Sequence, residues 1–204
     1  MPGHEDVLLR IGDLIAVGGV IFKLLDATGP EFDYHDQVFR TMALDGLTQV
    51  RNRRSLQDAL ETEIARSRRH GHALSLLLID IDHFKEVNDQ HGHLCGDLVL
   101  RRIAALLARQ GRRENCTARF GGDEFAIVLA ETRLGGALVF GERVRGAVEC
   151  EEIEAGGVRI EVTVSVGAAE WALTMQQSED LIAVADAALY QAKDAGRNRV
   201  ASGR

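Results

Sequence analysis

Arg119-Phe120-Gly121-Gly122-Asp123-Glu124-Phe125-Ala126-Ile127-Val128-Leu129 is the stretch from which the rest of the chain is read. Its glycine pair follows an aromatic residue and runs directly into two carboxylates. Glycine takes positive φ without a Cβ clash, so the pair suits the tight turn of a hairpin. Residues 125–129 read as a buried strand, with residues 116–120 as its partner. Asp123 and Glu124 are then held at a rigid turn, where paired carboxylates suit a hard divalent cation. A solvated hairpin tip accounts for the same four residues taken alone, so the flanking sequence has to decide.

Composition narrows the classes. A chain of 204 residues allows one domain of ordinary size plus extensions, and 46% hydrophobic residues supply a core. The formal charge of −7 argues against non-specific binding to nucleic acid. Cys95, Cys116 and Cys150 are scattered, without metal-ligand spacing, as expected of reduced thiols in a cytoplasm. The longest apolar run, residues 14–22, falls far short of the ~20 residues of a membrane helix, so the chain reads as soluble with no membrane segment.

Outward from the hairpin, helices and strands interleave. Residues 73–81 form an almost unbroken apolar run, predicted as a central strand buried on both faces, and it ends in Asp80-Ile81-Asp82. An unpaired buried carboxylate costs several kcal/mol, so two of them there point to a ligand edge; a helix cap is the plainer role for Asp82. Leu56, Leu60 and Ile64 mark an amphipathic helix ending near Arg69. His70-Gly71-His72 reads as a solvated turn. Residues 84–89 form a short helical segment, Gly92 and Gly96 punctuate a turn, and Val99, Ile103, Leu106 and Leu107 give the next helical face. A third helix starts around Gly135, strands cover 158–162 and 163–169, and a last helix stops at Gly196, followed by an edge strand at 199–200. The class is mixed α/β.

Before this body the chain divides into residues 1–26, two short strands (7–17 and 20–25), and 27–44, a polar linker helix over 31–43. The strand pair weakly resembles the end of a forkhead-associated domain. A truncated edge of an upstream domain, or an arm on the main domain, explains it better than a working binding module does.

Several blocks follow one another in order. They are Asp45-x-Leu47-Thr48 with Asn52-Arg53-Arg54, then Asp80-x-Asp82-x-Phe84-Lys85-x-x-Asn88-Asp89, then Gly92-His93-x-x-Gly96-Asp97. Arg119 through Phe125 and Ser165-x-Gly167 come next, then Ala185-Asp186-x-Ala188-Leu189-Tyr190-x-Ala192-Lys193-x-x-Gly196-Arg197-Asn198. On these blocks residues 45–204 resemble a GGDEF domain of the diguanylate cyclase family. The resemblance implies a central, mostly antiparallel sheet surrounded by helices, similar to nucleotide cyclase and polymerase palm domains. It also implies condensation of two GTP into cyclic di-GMP with release of two pyrophosphates, in a homodimer holding one GTP per subunit.

The same resemblance implies roles. Asp80 and Asp123 bind magnesium (manganese can substitute) through carboxylates, Ile81 through its backbone carbonyl, and Glu124 adds a further ligand. Asp123 also occupies the proton-acceptor position, and Lys85, after Phe84, neutralises the triphosphate. Lys193 and Arg197 hold its outer phosphates; charge at a helix C-terminus is their plainer role. Asn88 and Asp97 read guanine: a carboxylate accepts from N1–H and the 2-amino group, which adenine lacks. His93 supports the ribose or the loop, or is simply structural.

The family's product-inhibition pattern, Arg-x-x-Asp, reads Arg112-Arg113-Glu114-Asn115 here. Asparagine loses the charge that orients the arginine, so product inhibition is expected to be weak or absent. Two other classes stand beside the cyclase: a non-catalytic receptor for GTP or cyclic di-GMP, and a signalling scaffold working through the N-terminal arm.

Overall fold

The structure, a computed structural model, describes residues 8–26, 28–32, 42–111 and 115–203. It divides into two compact units, residues 1–42 and 43–204. In the first unit, β1 (Leu14–Val17) and β2 (Val20–Lys23) pair antiparallel across Gly18-Gly19, with Val17 opposite Val20. Gly18 lies at φ +59, as a two-residue hairpin turn requires. Residues 8–13 are not strand, contrary to the longer first strand expected from the sequence. A Gly12 turn at φ +93 interrupts the run, and Gly12 N–H donates to Leu24 O. Residues 30–32 and 42–43 are helical, and the remainder of the expected linker helix lies outside the described residues.

The second unit is built on a five-stranded sheet ordered β4-β5-β3-β8-β9. Its strands are β3 (Leu74–Ile81), β4 (Cys116–Gly121), β5 (Glu124–Ala130), β8 (Val164–Glu170) and β9 (Val200–Ser202). All neighbours are antiparallel except β8 and β9. The helices are α1 (Arg53–His70), α2 (Phe84–His91), α3 (His93–Gln110), α4 (Leu134–Glu149) and α5 (Ser178–Asp194). The expected mixed α/β architecture, a mostly antiparallel sheet surrounded by helices, is what forms.

Period-two alternation sorts β3 between two cores. Leu77, Ile79 and Ile81 join Phe125, Ile127, Val99, Ile103 and Val144 on one face, beneath α2, α3 and α4. Leu74, Leu76 and Leu78 join Leu56, Leu60, Ile64, Leu181 and Leu189 on the other, beneath α1 and α5. Every residue of β3 is therefore buried, as its continuous apolar run predicts. A fully buried side chain of this size contributes roughly 2 kcal/mol.

Three local features depart from expectation. Gly96 lies inside α3, not in a turn. A Cβ there would sit 2.0 Å from Asn88 Oδ1, so the glycine serves close approach of α2 to α3. A strand unseen in the sequence, β6 (Ile153–Ala155), pairs with β7 (Val158–Ile160), which is shorter than the expected 158–162. Among the described residues, no helix is long and apolar enough to cross a membrane.

Candidate active site

The row Leu74, Leu76, Leu78 continues into Asp80, which stays on the α5 face of the sheet. Asp80 lies opposite Glu124 on β5 and opposite Ser165 on β8. Asp123 sits in the turn between β4 and β5, and its carbonyl accepts from Ile81 N–H at 3.3 Å. From above, α5 brings Lys193 Nζ to 2.7 Å from Asp80 Oδ2. The side chains of Asp80 and Lys193 are 11% and 32% exposed, which places this ion pair at the rim of the core. Burial raises the Asp80 carboxyl above its ordinary range. Lys193 pulls it back, while the nearby charges of Asp123 and Glu124 push it further up.

The hairpin that carries Asp123 and Glu124 is clamped. Gly122 takes φ +34, and the Arg119 side chain donates to its carbonyl through Nε at 2.9 Å and Nη2 at 2.7 Å. Arg119 Nη1 also reaches Asp45 Oδ1 at 3.1 Å. Asp45 accepts from the Thr48 hydroxyl at 2.6 Å and from its backbone N–H at 2.9 Å. Burial alone would raise the Asp45 carboxyl, but the Thr48 bonds and Arg119 outweigh it and hold it below the usual range. Asp45, Thr48 and Arg119 belong to matching blocks, yet their joint role spans 74 residues of sequence and is invisible without the fold.

Asp82 caps no helix: His83 stands at the α2 N-cap, in the left-handed region. The Asp82 carboxylate, 4% exposed, instead accepts from Thr163 Oγ1 and Ser165 Oγ at 2.7 Å and from Asn198 N–H at 3.1 Å. Asn88 and Asp97 are half-buried on α2 and α3, and Asn88 lies over Gly96, next to Asp97. Phe84 is half-buried beside the same glycine. Lys85 and His93 are exposed, and Arg197 is exposed in the turn after α5 at φ +60. Arg112 lies outside the described residues, and Asn115 is half-buried just before β4. A cleft of about 600 Å³ lined by Glu63, Arg66, His72, Asn115 and Glu131 opens at the far end of the sheet, away from Asp80.

Residues 42–199 match the family described as Diguanylate cyclase, GGDEF domain. The chain belongs to this family. Diguanylate cyclase DosC of Escherichia coli is 42% identical to this GGDEF protein over 194 residues, 94% of the chain and 41% of the relative. The Response regulator PleD of Caulobacter vibrioides is 38% identical over 167 residues, 81% of the chain and 37% of the relative. The chain thus spans about two fifths of the length of these curated relatives. The crystal structure of the coiled coil and GGDEF domain of DgcB from Caulobacter crescentus, in complex with c-di-GMP, superposes with a TM-score of 0.80 at 32% identity. That match covers 85% of this chain and 92% of the other.

Diguanylate cyclases generally need a divalent metal, and the donor set here suits one. Among the described residues no three acidic, histidine or cysteine side chains converge as a ready-made cage. Magnesium does not require that: it keeps several waters and takes one or two carboxylates plus phosphate oxygens. Asp80, Asp123 and Glu124 at one strand end, mutually unfavourable in charge, fit that demand.

Proposed function

We propose that this chain condenses two GTP molecules into cyclic di-GMP and two pyrophosphates, as a homodimer with one GTP per subunit. The observation that carries the reading is that Asp80, Asp123 and Glu124 lie at one strand end, near enough for the last two to act on the Asp80 charge, with Lys193 already placed on Asp80. In each of two steps the 3′-oxygen of one nucleotide bonds to the α-phosphorus of the other. The bond to the β-phosphate bridging oxygen breaks, and the hydroxyl proton leaves to a base. Charge gathers on phosphate oxygens, so fixed cations carry most of the catalysis.

In this proposal Asp80 and Asp123, the Ile81 carbonyl and Glu124 hold magnesium, with manganese as a substitute. The ion would neutralise charge on the reacting phosphate. Asp123 accepts the hydroxyl proton. Lys85, Lys193 and Arg197 face the triphosphate, and Lys193 exchanges its carboxylate partner for phosphate oxygens. Asn88 and Asp97 bond the guanine edge beside Phe84, and His93 borders the ribose. Buried Cys95 and Cys116 suit the reducing cytoplasm in which GTP is supplied. Residues 1–44 form the input arm, with β1 and β2 as the remnant of an upstream module. The degenerate product site at Arg112 and Asn115 leaves turnover weakly inhibited by product.

The test is chromatography of cyclic di-GMP formed from GTP and magnesium across a range of protein concentrations, with Asp123→Ala alongside. Turnover per subunit is expected to rise with concentration and to vanish in Asp123→Ala, which keeps its fold by circular dichroism. GTP binding without product at any concentration would replace the cyclase with a receptor. Near-normal turnover in Asp123→Ala would remove that carboxylate from the chemistry.

A further inference from the structure

Arg197 and Asn198 occupy the left-handed region consecutively, at φ +60 and +45. Two such non-glycine residues in succession are disfavoured and persist only where their surroundings over-determine them. Here the surroundings do so from two sides. From the turn after β3, the Asp82 carboxylate accepts Asn198 N–H at 3.1 Å, while Thr163 and Ser165 hold that carboxylate in place. From α4, Arg145 Nη1 donates to Asn198 Oδ1 at 2.8 Å, and Asn198 Nδ2 donates to Glu149 Oε1 at 2.8 Å. Arg145 is itself fixed by Glu142 and Glu149, each at 2.8 Å. The amide N–H, side-chain oxygen and side-chain nitrogen of Asn198 are therefore all engaged, and asparagine is the non-glycine residue best suited to such a turn.

The anchored turn is the one that presents Arg197, four residues beyond Lys193. The anchor, Asp82, is two residues beyond Asp80, in the turn that directly follows the same strand. One strand end therefore carries both the carboxylate that meets Lys193 and the carboxylate that fixes the next cation. We propose that Asp82 is a positioning residue for triphosphate binding: it touches no substrate, and it acts through Asn198 to hold Arg197 toward the outer phosphates. The inference rests on the reading of Arg197 as a phosphate ligand.

The experiment uses the full chain and measures, by calorimetry with magnesium, the affinity for 3′-deoxy-GTP and for GMP. The first lacks the attacking hydroxyl but keeps the triphosphate; the second lacks the outer phosphates. Asp82→Ala is expected to weaken 3′-deoxy-GTP about tenfold, the effect of losing one charge-assisted contact, and to leave GMP unchanged. Asp82→Asn restores most of the loss, because its side-chain oxygen can accept from Asn198 and Thr163. Arg197→Ala reproduces the loss, and adding Asp82→Ala to it costs nothing more. Should Asp82→Ala fail to fold, Glu149→Ala, which removes the acceptor of Asn198 Nδ2, loosens the same turn from its exposed end and is expected to show the same selectivity for the triphosphate. Equal weakening of both ligands, or additive losses in the double variant, overturns the proposal. Unchanged 3′-deoxy-GTP binding in Arg197→Ala overturns instead the phosphate reading on which it rests.

Discussion

Gly167 is the position where one methyl group should do most damage. It lies on β8 beneath α5, and a Cβ there would sit 2.2 Å from Ala185 O and 2.3 Å from Leu189 N. Ordinary contact starts at 3.4 Å, a shortfall of 1.2 Å at Ala185 O, and both atoms are backbone that no rotamer change can move. Gly167→Ala must therefore lift α5 from the sheet by about an ångström, at the upper end of overpacking costs, about 3 kcal/mol. For a domain of this size that lowers Tm by roughly 6–12 °C. Lys193 follows Leu189 by about one helical turn, so the shift also draws its ammonium away from Asp80. A misplacement near 1 Å costs on the order of a hundredfold in rate. The assay is thermal unfolding together with cyclic di-GMP production. Gly146→Ala on α4 is the control: its Cβ meets nothing within 4 Å, so the same substitution should stabilise, by roughly 0.5–1 kcal/mol. A Gly167→Ala variant with wild-type Tm would refute the close approach, and a lowered Tm with normal turnover would refute the link to Lys193.

Gly96→Ala crowds chiefly the flexible end of Asn88, with Phe84 Cζ at 3.2 Å yielding a few tenths of an ångström, so it should lower Tm only slightly while raising KM for GTP about fivefold, the effect of one lost hydrogen bond; an unaltered KM would remove Asn88 from the nucleotide site. The Asp45 carboxyl is lowered in the folded state, so its contribution is complete above the unfolded value and is lost as pH falls through the folded one. Urea midpoints of wild type should therefore fall more steeply below about pH 4 than those of Asp45→Asn, and parallel curves would rule the linkage out. If the product site is degenerate as proposed, Asn115→Asp should strengthen inhibition by cyclic di-GMP above that of the natural chain. The degenerate-site reading fails if the natural chain is already inhibited at micromolar product and Arg112→Ala relieves it.

What the sequence disclosed follows from how local each signal is. The apolar run of β3 and the four-residue spacing on α1 depend on neighbours along the chain, and each forms where expected; the hairpin turn forms too, but at Gly122-Asp123, because Gly121 still pairs as the last residue of β4. The strand β6 is three residues long, too short for alternation to register. Gly96 reads as punctuation because glycine usually breaks helices, whereas here it answers to Asn88 across a helix pair. Asp80 is legible as a candidate site residue because a carboxylate ending a buried row needs a reason. Asp82 was ambiguous, since its partners Thr163, Ser165 and Asn198 lie more than eighty residues away. The one local clue to Asn198 is an asparagine two residues after Gly196, where a second left-handed residue is least costly.

The ends of the sheet carry a consequence for self-association. On one side, residues 44–51 double back so that Arg51 bridges Ala118 of β4, exchanging bonds with Thr117 O and Arg119 N–H. On the other, β9 offers only three residues. An open, extended border would invite a second chain to zip onto it through backbone hydrogen bonds, whatever the state of the nucleotide. With one border occupied and the other curtailed, two copies have little reason to adhere side by side. The encounter of two copies that the proposed reaction needs is then left to other surfaces, free to respond to bound nucleotide.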